Sequence, residues 1–208
     1  MNPALIGPNA ITRLAEVLPG MVGKGPTRQL FQHAGLADYL VAPPQTMVPE
    51  GEVARLHQQL WCDVGPALAR EAARRAGELT GRYLLARRIP QPVQWLLKAL
   101  PAALAARVLV AAISRHAWTF CGSGQFSARW RAGVLQLVIK DNPLCRGLAR
   151  DEAACDYFAA TFGCLFRRLV QARATVREIS CEARGDAECC FELRWGGDQA
   201  GGVARKRA

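Results

Sequence analysis

Acid is scarce in this 208-residue sequence: 17 Asp and Glu stand against 27 Lys and Arg, for a formal charge of +10. Such an excess invites nucleic acid or an anionic membrane as a partner. No nucleic-acid motif accompanies it, and the arginines are scattered through helical segments, with "RRLVQAR" and the closing "ARKRA" the nearest approaches to a cluster. The charge is therefore read as a solvated basic surface with weak attraction to an anionic leaflet, and no nucleic-acid partner is expected. A signal peptide is also lacking, because "MNPALIGPNAITRL" has neither the basic region nor the apolar run of one. A cytoplasmic protein is expected. The most apolar stretch, residues 93–114, is interrupted by Lys98, Pro101 and Arg107, so it reads as buried or interfacial helices rather than a membrane span.

Cofactor motifs are missing too. No Gly-x-Gly-x-x-Gly follows a strand and opens a helix: "GSGQF" at 122–126 lacks the third glycine and leads into a strand. The cysteines are too dispersed for the usual iron–sulfur runs. Eight cysteines in this length fall well below the density of a disulfide-stapled scaffold. In a reducing compartment, clustered cysteines are thiols or metal ligands more often than bridges. No internal repeat is present.

What is there reads as a folded protein, with 50% hydrophobic and 21% charged residues and enough chain to bury a core. "PNAITRLAEVLP" sets Ile11, Leu14 and Leu18 at helical spacing after an Asn9 cap, and "TRQLFQHAG" makes a second short helix. After the proline-rich loop "VAPPQTMVPEGE", helices run from Glu52 through the Gly65-Pro66 break to Arg88, then as pieces cut by Pro90, Pro92 and Pro101, the last reaching Phe120. Beyond Cys121 the pattern changes. "FSARW" and "GVLQLVIKDN" form a hairpin closed around Arg131 to Gly133, a helix follows with Ala154, Phe158, Phe162 and Leu165 on its apolar face, and "TVREISCEA" and "CCFELRW" form a second hairpin. The expected fold is α+β: a helical N-terminal half packed on an antiparallel sheet of two hairpins with an intervening helix. Its parts are an N-terminal helical segment over 1–50, a helical region over 51–121, an α+β unit over 122–195 and a loose basic tail over 196–208.

The stretch "CEARGDAECC", residues 181 to 190, holds three of the eight cysteines around a Gly-Asp turn, with Glu178 three positions upstream. It suits a metal site, a disulfide hairpin or two buried strands. Zinc in a closed site takes four ligands in a tetrahedron. Glu178, Cys181 and Cys189 converge on one end of the hairpin, and Cys155 near the start of the preceding helix supplies the fourth, its thiolate favoured by the helix N-terminus. Cys164 lies about two and a half turns further along that helix, out of reach. Free cysteine otherwise behaves as a small buried hydrophobe, and Cys62, Cys121, Cys145, Cys164 and Cys190 are assigned to that role.

Cys155, Glu178-x-x-Cys181 and Cys189 after a Gly-Asp turn resemble the pattern of the 4-vinyl reductase domain, a small-molecule-binding module also found in the sensor region of aromatic-responsive bacterial transcription activators. That resemblance implies zinc on these four residues, as in the sensor branch. With "GELTGRYLLARRIPQPVQWLLKALP" and "AAISRHAWTFCGSGQF", the chain is similar over nearly its whole length to the bacteriochlorophyll-biosynthesis branch of the family. The inherited family name implies reduction of an 8-vinyl group with NADPH, but no means of holding a nicotinamide is legible. The expectation is therefore a carrier of a Mg-porphyrin or chlorophyllide intermediate, assisting pathway enzymes such as the magnesium chelatase. The reductase is the alternative. A ligand sensor acting through a partner is a third reading, since the ATPase and helix-turn-helix regions of such activators are lacking.

A flat, apolar macrocycle needs a mostly hydrophobic pocket with a few placed polar groups. His116 is the candidate for a magnesium ligand or carboxylate partner; Trp118, Phe120 and Trp130 are candidates for stacking; Arg87, Arg88 and Arg115 for pairing with propionates. Local satisfaction of the histidine and core packing of the aromatics are the plainer readings. A homodimer and peripheral contact with the chromatophore membrane stay open.

Overall fold

The computed structural model describes residues 3–131 and 134–195. The expected tail over 196–208, and Ala132 and Gly133 of the first hairpin turn, lie outside the described residues.

The chain opens with a short strand, β1 (Leu5–Ile6), and two helices, α1 (Asn9–Val22) and α2 (Lys24–His33). Asn9 begins α1 rather than capping it, with Pro8 at the cap position, and the helix runs on through Pro19. In the proline-rich loop β2 (Val48–Pro49) pairs antiparallel with β1, which the sequence did not signal because two-residue strands carry no periodicity. Then come α3 (Glu50–Val64), α4 (Pro66–Arg87), α5 (Gln91–Ala99) and α6 (Ala102–Arg115). Pro66 occupies the first turn of α4, where its missing N–H leaves no bond unmade. The last helix of the run does not reach Phe120 unbroken: α6 stops at Arg115, and a single turn, α7 (Trp118–Cys121), follows.

The second part is the expected hairpin, helix, hairpin. Strands β3 (Gln125–Arg131) and β4 (Val134–Lys140) precede α8 (Asp156–Leu169), and β5 (Thr175–Ser180) and β6 (Cys189–Arg194) complete one antiparallel sheet of order β3-β4-β6-β5. Gly185 takes the left-handed conformation (φ 90°) in the second hairpin's turn, where a Cβ is disfavoured.

Strand alternation puts Leu135, Leu137 and Ile139 of β4 and Cys189, Phe191 and Leu193 of β6 on the buried inner face, fully excluded from water. Burying a side chain of the Leu or Phe class contributes about 1.5–3 kcal/mol. Phe158 and Phe162 of α8 meet Phe191 edge-on, at ring separations of 6.4 and 5.5 Å. The other side of α8 packs on α4 through the small residues Ala76, Gly77, Thr80 and Gly81. At Gly77 a Cβ would come 2.1 Å from the Tyr157 carbonyl oxygen, and at Gly81 2.5 Å from Cys164 Cβ, so two glycines permit this approach. Thr161 Oγ1 donates to the Gly77 carbonyl at 3.0 Å. Helix α8 is thus a middle layer, with the helical half on one side and the sheet on the other.

Candidate functional site

Four sulfurs meet at the N-terminal end of α8. Cys155 immediately precedes the helix, Cys181 leaves β5 into the short 3-10 turn at Glu182–Arg184, Cys189 begins β6, and Cys145 comes from the loop after β4. All four are buried and their Sγ atoms lie within 4.8 Å of one another. Cys145 Sγ stands 3.1 Å from Cys155, 3.7 Å from Cys181 and 3.5 Å from Cys189; Cys155 stands 3.9 Å from Cys181 and 3.6 Å from Cys189. A tetrahedron of sulfurs about 2.3 Å from a central zinc has edges of about 3.8 Å. The observed spacing matches it, so the four cysteines can hold a metal ion. All eight cysteines are free thiols.

The surroundings suit thiolates. The buried Asn142 donates through Nδ2 to Cys155 Sγ at 3.2 Å and Cys189 Sγ at 3.3 Å. The Ala154 N–H donates to Cys181 Sγ and the Glu182 N–H to Cys189 Sγ, both at 3.4 Å. The neighbouring sulfurs, Cys145 first, together with burial push the Cys155 thiol well above its ordinary value. Hydrogen bonds from Cys145, Cys155 and Cys189 pull Cys181 far below its own. The cluster therefore gathers anionic character on one sulfur, and a dication would let the others ionise too.

The structure brings Cys155, Cys181 and Cys189 together, but the fourth sulfur is Cys145, which the sequence reading assigns to the core. Glu178 stands beside the cluster. Its Oε2 accepts the Cys155 backbone N–H at 2.9 Å, while Oε1 is buried without a hydrogen-bond partner. Burial, then the charge of Cys181, raises its carboxyl to about 9. Cys145 was missed because its place depends on distant contacts. Arg146 forms an ion pair with Glu50 of α3 and donates to Ser123 Oγ at 2.7 Å. Gln58 donates to the Arg146 carbonyl at 2.5 Å. Upstream, the N–H groups of Asp141 and Asn142 donate to Glu182 at 2.6 and 2.8 Å. Of the other cysteines, Cys121, Cys164 and Cys190 are buried, whereas Cys62 is exposed on α3 and leaves the core set. Cys190 faces away from Cys189 across the sheet, as strand alternation requires.

The second feature is a cavity of about 1630 Å³ between α1, the loop at 37–47, α4, α6, α7 and α8. Pockets for drug-sized ligands run to about 300–1,000 Å³, so this one is roomy. Its wall is largely apolar, with Leu84, Leu109, Ile113, Phe158, Phe162 and Leu165 among the lining. Of the candidates from the sequence, His116, Trp118, Phe120 and Arg88 line it. Phe120 is wedged among Phe126, Phe158 and Phe162 at ring separations of 5.6–6.2 Å. Trp130, Arg87 and Arg115 are not among the lining residues. Trp130 stands edge-on to Trp195 at 5.9 Å, and Arg87 is turned from Arg88 by the helical rotation of about 100° per residue.

Residues that the sequence did not reveal complete the polar fittings. Arg13, Lys24 and Arg28 line the cavity. The Arg13 guanidinium lies over the Tyr83 ring at 5.0 Å while donating to Glu16 at 2.6 Å. Lys24, Arg28 and Arg88 have no carboxylate partner among the described residues. Deeper in, Thr80 Oγ1 donates to the Ala76 carbonyl at 3.0 Å, so its contact of 2.8 Å with Tyr157 is made with the tyrosine as donor. "GSGQF" holds no nucleotide-binding turn: the Ser123 N–H donates to Glu50 at 2.8 Å and the chain enters β3.

The 4-vinyl reductase domain family matches residues 135–195, the segment from β4 to β6 that carries all four clustered cysteines. The chain is 44% identical over 189 residues to the bacteriochlorophyll synthase 23 kDa chain of Cereibacter sphaeroides, covering 90% of this chain and 89% of that one. It is 40% identical to the protein of the same name from Rhodobacter capsulatus, covering 90% and 86%. Among solved structures, an H-NOX protein studied for haem distortion superposes with TM-score 0.59 at 12% identity, covering 92% of this chain and 96% of that one. The Fe(II) unliganded H-NOX protein from K. algicida gives TM-score 0.57 at 12% identity, covering 93% and 98%. The helical half, α8 and the antiparallel sheet thus form an H-NOX-like α+β fold. With its 4-vinyl reductase domain segment and its identity to both relatives along most of its length, the chain belongs to the family of the bacteriochlorophyll synthase 23 kDa chain.

Proposed function

We propose that this chain binds a Mg-porphyrin or chlorophyllide intermediate in its apolar cavity and serves bacteriochlorophyll biosynthesis as a carrier. It would hand the pigment to pathway enzymes such as the magnesium chelatase. The cavity carries this reading: about 1630 Å³ of mostly apolar space with Arg13, Lys24, Arg28 and Arg88 on its wall. A macrocycle with acidic side chains asks for that combination, apolar walls for the ring and cations for the carboxylates. His116 lies at the open end of α6 and is the candidate axial ligand of the magnesium. The relatives' names support a place in this pathway, and the haem distortion studied in a protein of the same fold supports a flat tetrapyrrole in this cavity.

Alongside the pigment, we propose a structural zinc on Cys145, Cys155, Cys181 and Cys189. Four sulfurs leave a tetrahedral ion no open position, so the metal would staple the β5–β6 hairpin to the start of α8 rather than react. Glu178 supports this set by fixing the Cys155 backbone, and is the fourth donor if Cys145 is displaced.

The test is an anaerobic absorption titration of the metal-assayed protein with a divinyl Mg-tetrapyrrole, followed by NADPH and analysis of the extracted pigment. A saturable shift with the vinyl group intact is expected. Conversion to the ethyl product by protein and NADPH alone would make the chain a reductase, and absence of any shift would end the carrier reading.

A further inference from the structure

We propose that the outward face of α5, α6 and α7 docks on an anionic lipid bilayer, with the mouth of the cavity at the docked surface. Helix α5 exposes Trp95 (68%) and Leu96 (59%), and Trp118 of α7 is 60% exposed. Trp and Leu are rarely left to water together without a use, because contiguous exposed apolar surface marks an interaction site. On α6 the residues Leu104, Arg107, Val108, Ala111 and Arg115 recur at intervals of three and four, so they share one side of the helix, and all five are exposed. The opposite side, Ala105, Ala106, Leu109, Val110 and Ile113, is in the core. Helix α6 is therefore apolar nearly all round, with two arginines set into its outer stripe.

Charge decides what covers this face. From Leu79 to Lys140 the sequence runs 62 residues without one Asp or Glu while carrying nine Lys and Arg. Lys98, Arg107 and Arg115 of α5 and α6 have no carboxylate within ion-pair distance among the described residues. Arg107 lies over the Trp130 ring at 5.8 Å, so a cation and an aromatic are presented together. A second copy of the chain would bring the same cations against these, and like charges there repel. Anionic headgroups neutralise them, while Trp, Leu and Val enter the acyl boundary and the Lys and Arg stems reach back to the headgroups. No described helix is long and apolar enough to cross a membrane, so the contact is peripheral.

The same elements reach the cavity. Val93 of α5, Ile113 and His116 at the end of α6, and Trp118 of α7 all line it. Val93 and Trp118 are also exposed, so the apolar face runs from the outer surface to the rim. An amphipathic ligand dissolved in the lipid would then enter without crossing water. The docking itself rests on the exposed face and its charge, and stands whether or not the cavity takes a pigment.

The experiment is co-sedimentation of the full chain with vesicles of phosphatidylcholine, with and without phosphatidylglycerol, at about 0.1 M and about 0.5 M salt. Binding to the anionic vesicles at low salt, weakened at least tenfold by salt or by removal of phosphatidylglycerol, is expected. Two variants carry the test: Trp95→Ser with Leu96→Ser, and Lys98→Gln with Arg107→Gln and Arg115→Gln. Each should lose at least tenfold in vesicle partition. All five positions are exposed, so melting temperature should hold, and pigment titration in detergent should be unchanged, which separates this proposal from the carrier reading. Equal binding to neutral vesicles, no binding, or variants that bind like the parent would overturn it. So would a lipid-free dimer that Trp95→Ser with Leu96→Ser dissolves, which would make the face a contact between copies.

Discussion

Cys145→Ser and Glu178→Gln form a pair of substitutions that separates the donors of the proposed zinc site. Structural zinc contributes about 10–16 kcal/mol in small four-ligand sites at neutral pH, or roughly 3 kcal/mol per ligand. At about 1.4 kcal/mol per factor of ten, losing one sulfur weakens binding by roughly a hundredfold or more. Cys145 meets three partner sulfurs at 3.1–3.7 Å, so its loss should carry that full penalty. Glu178→Gln keeps an oxygen to accept the Cys155 N–H, now at 2.9 Å, and removes only the charge. A charge-assisted bond exceeds a neutral one by about 1 kcal/mol, so the effect should stay below about tenfold. The assay is zinc competition against a chromophoric chelator, with metal content measured on the purified variants. Cobalt substitution adds a second reading, because the thiolate-to-cobalt absorption of the parent should drop in Cys145→Ser and persist in Glu178→Gln. The reasoning is refuted if Glu178→Gln loses zinc while Cys145→Ser keeps it, for then the buried, unpartnered Oε1 of Glu178 is the ligand.

His57 is buried and its Nε2 has no partner, and desolvation lowers its pKa to about 4 from 6.5. A group depressed on folding contributes stability in full above pH 6.5 and loses it as pH falls toward 4, here up to about 3 kcal/mol. His57→Gln should therefore show a smaller loss between pH 7 and pH 4.5 in denaturant titrations, and an unchanged slope would exclude His57 as the source. At the helix contact, Gly77→Ala gains about 1 kcal/mol of helix preference but sets a methyl 2.1 Å from the Tyr157 carbonyl. The net should be a loss of about 2 kcal/mol from overpacking, with weaker pigment binding as α8 shifts. Gly20→Ala in α1, with nothing within 4 Å, should be neutral or stabilising, and a rise in melting temperature for Gly77→Ala would contradict the packing argument.

Local chemistry settled much of this protein in the sequence alone. Alternation of Leu135, Leu137 and Ile139, the Arg-Gly-Asp turn, and helical spacing through Phe158, Phe162 and Leu165 are short-range properties, and the hairpin, helix, hairpin unit follows from them. Cys155, Cys181 and Cys189 were legible for the same reason: a hairpin turn and a helix start are local devices, and they aim these residues at one end of the sheet. Tertiary structure alone decided the rest. Cys145 joins the cluster because Glu50 and Gln58, about 90 residues upstream, hold Arg146, and because Glu182 holds the backbone of Asp141 and Asn142. The cavity likewise gathers Arg13, Tyr83, His116 and Phe158 from four helices or their ends, whose sequence separations carry no common period. Periodicity reports which face of a helix is buried, but which face of another helix it meets is set by packing. Here that packing turns on two glycines of α4 that let α8 approach.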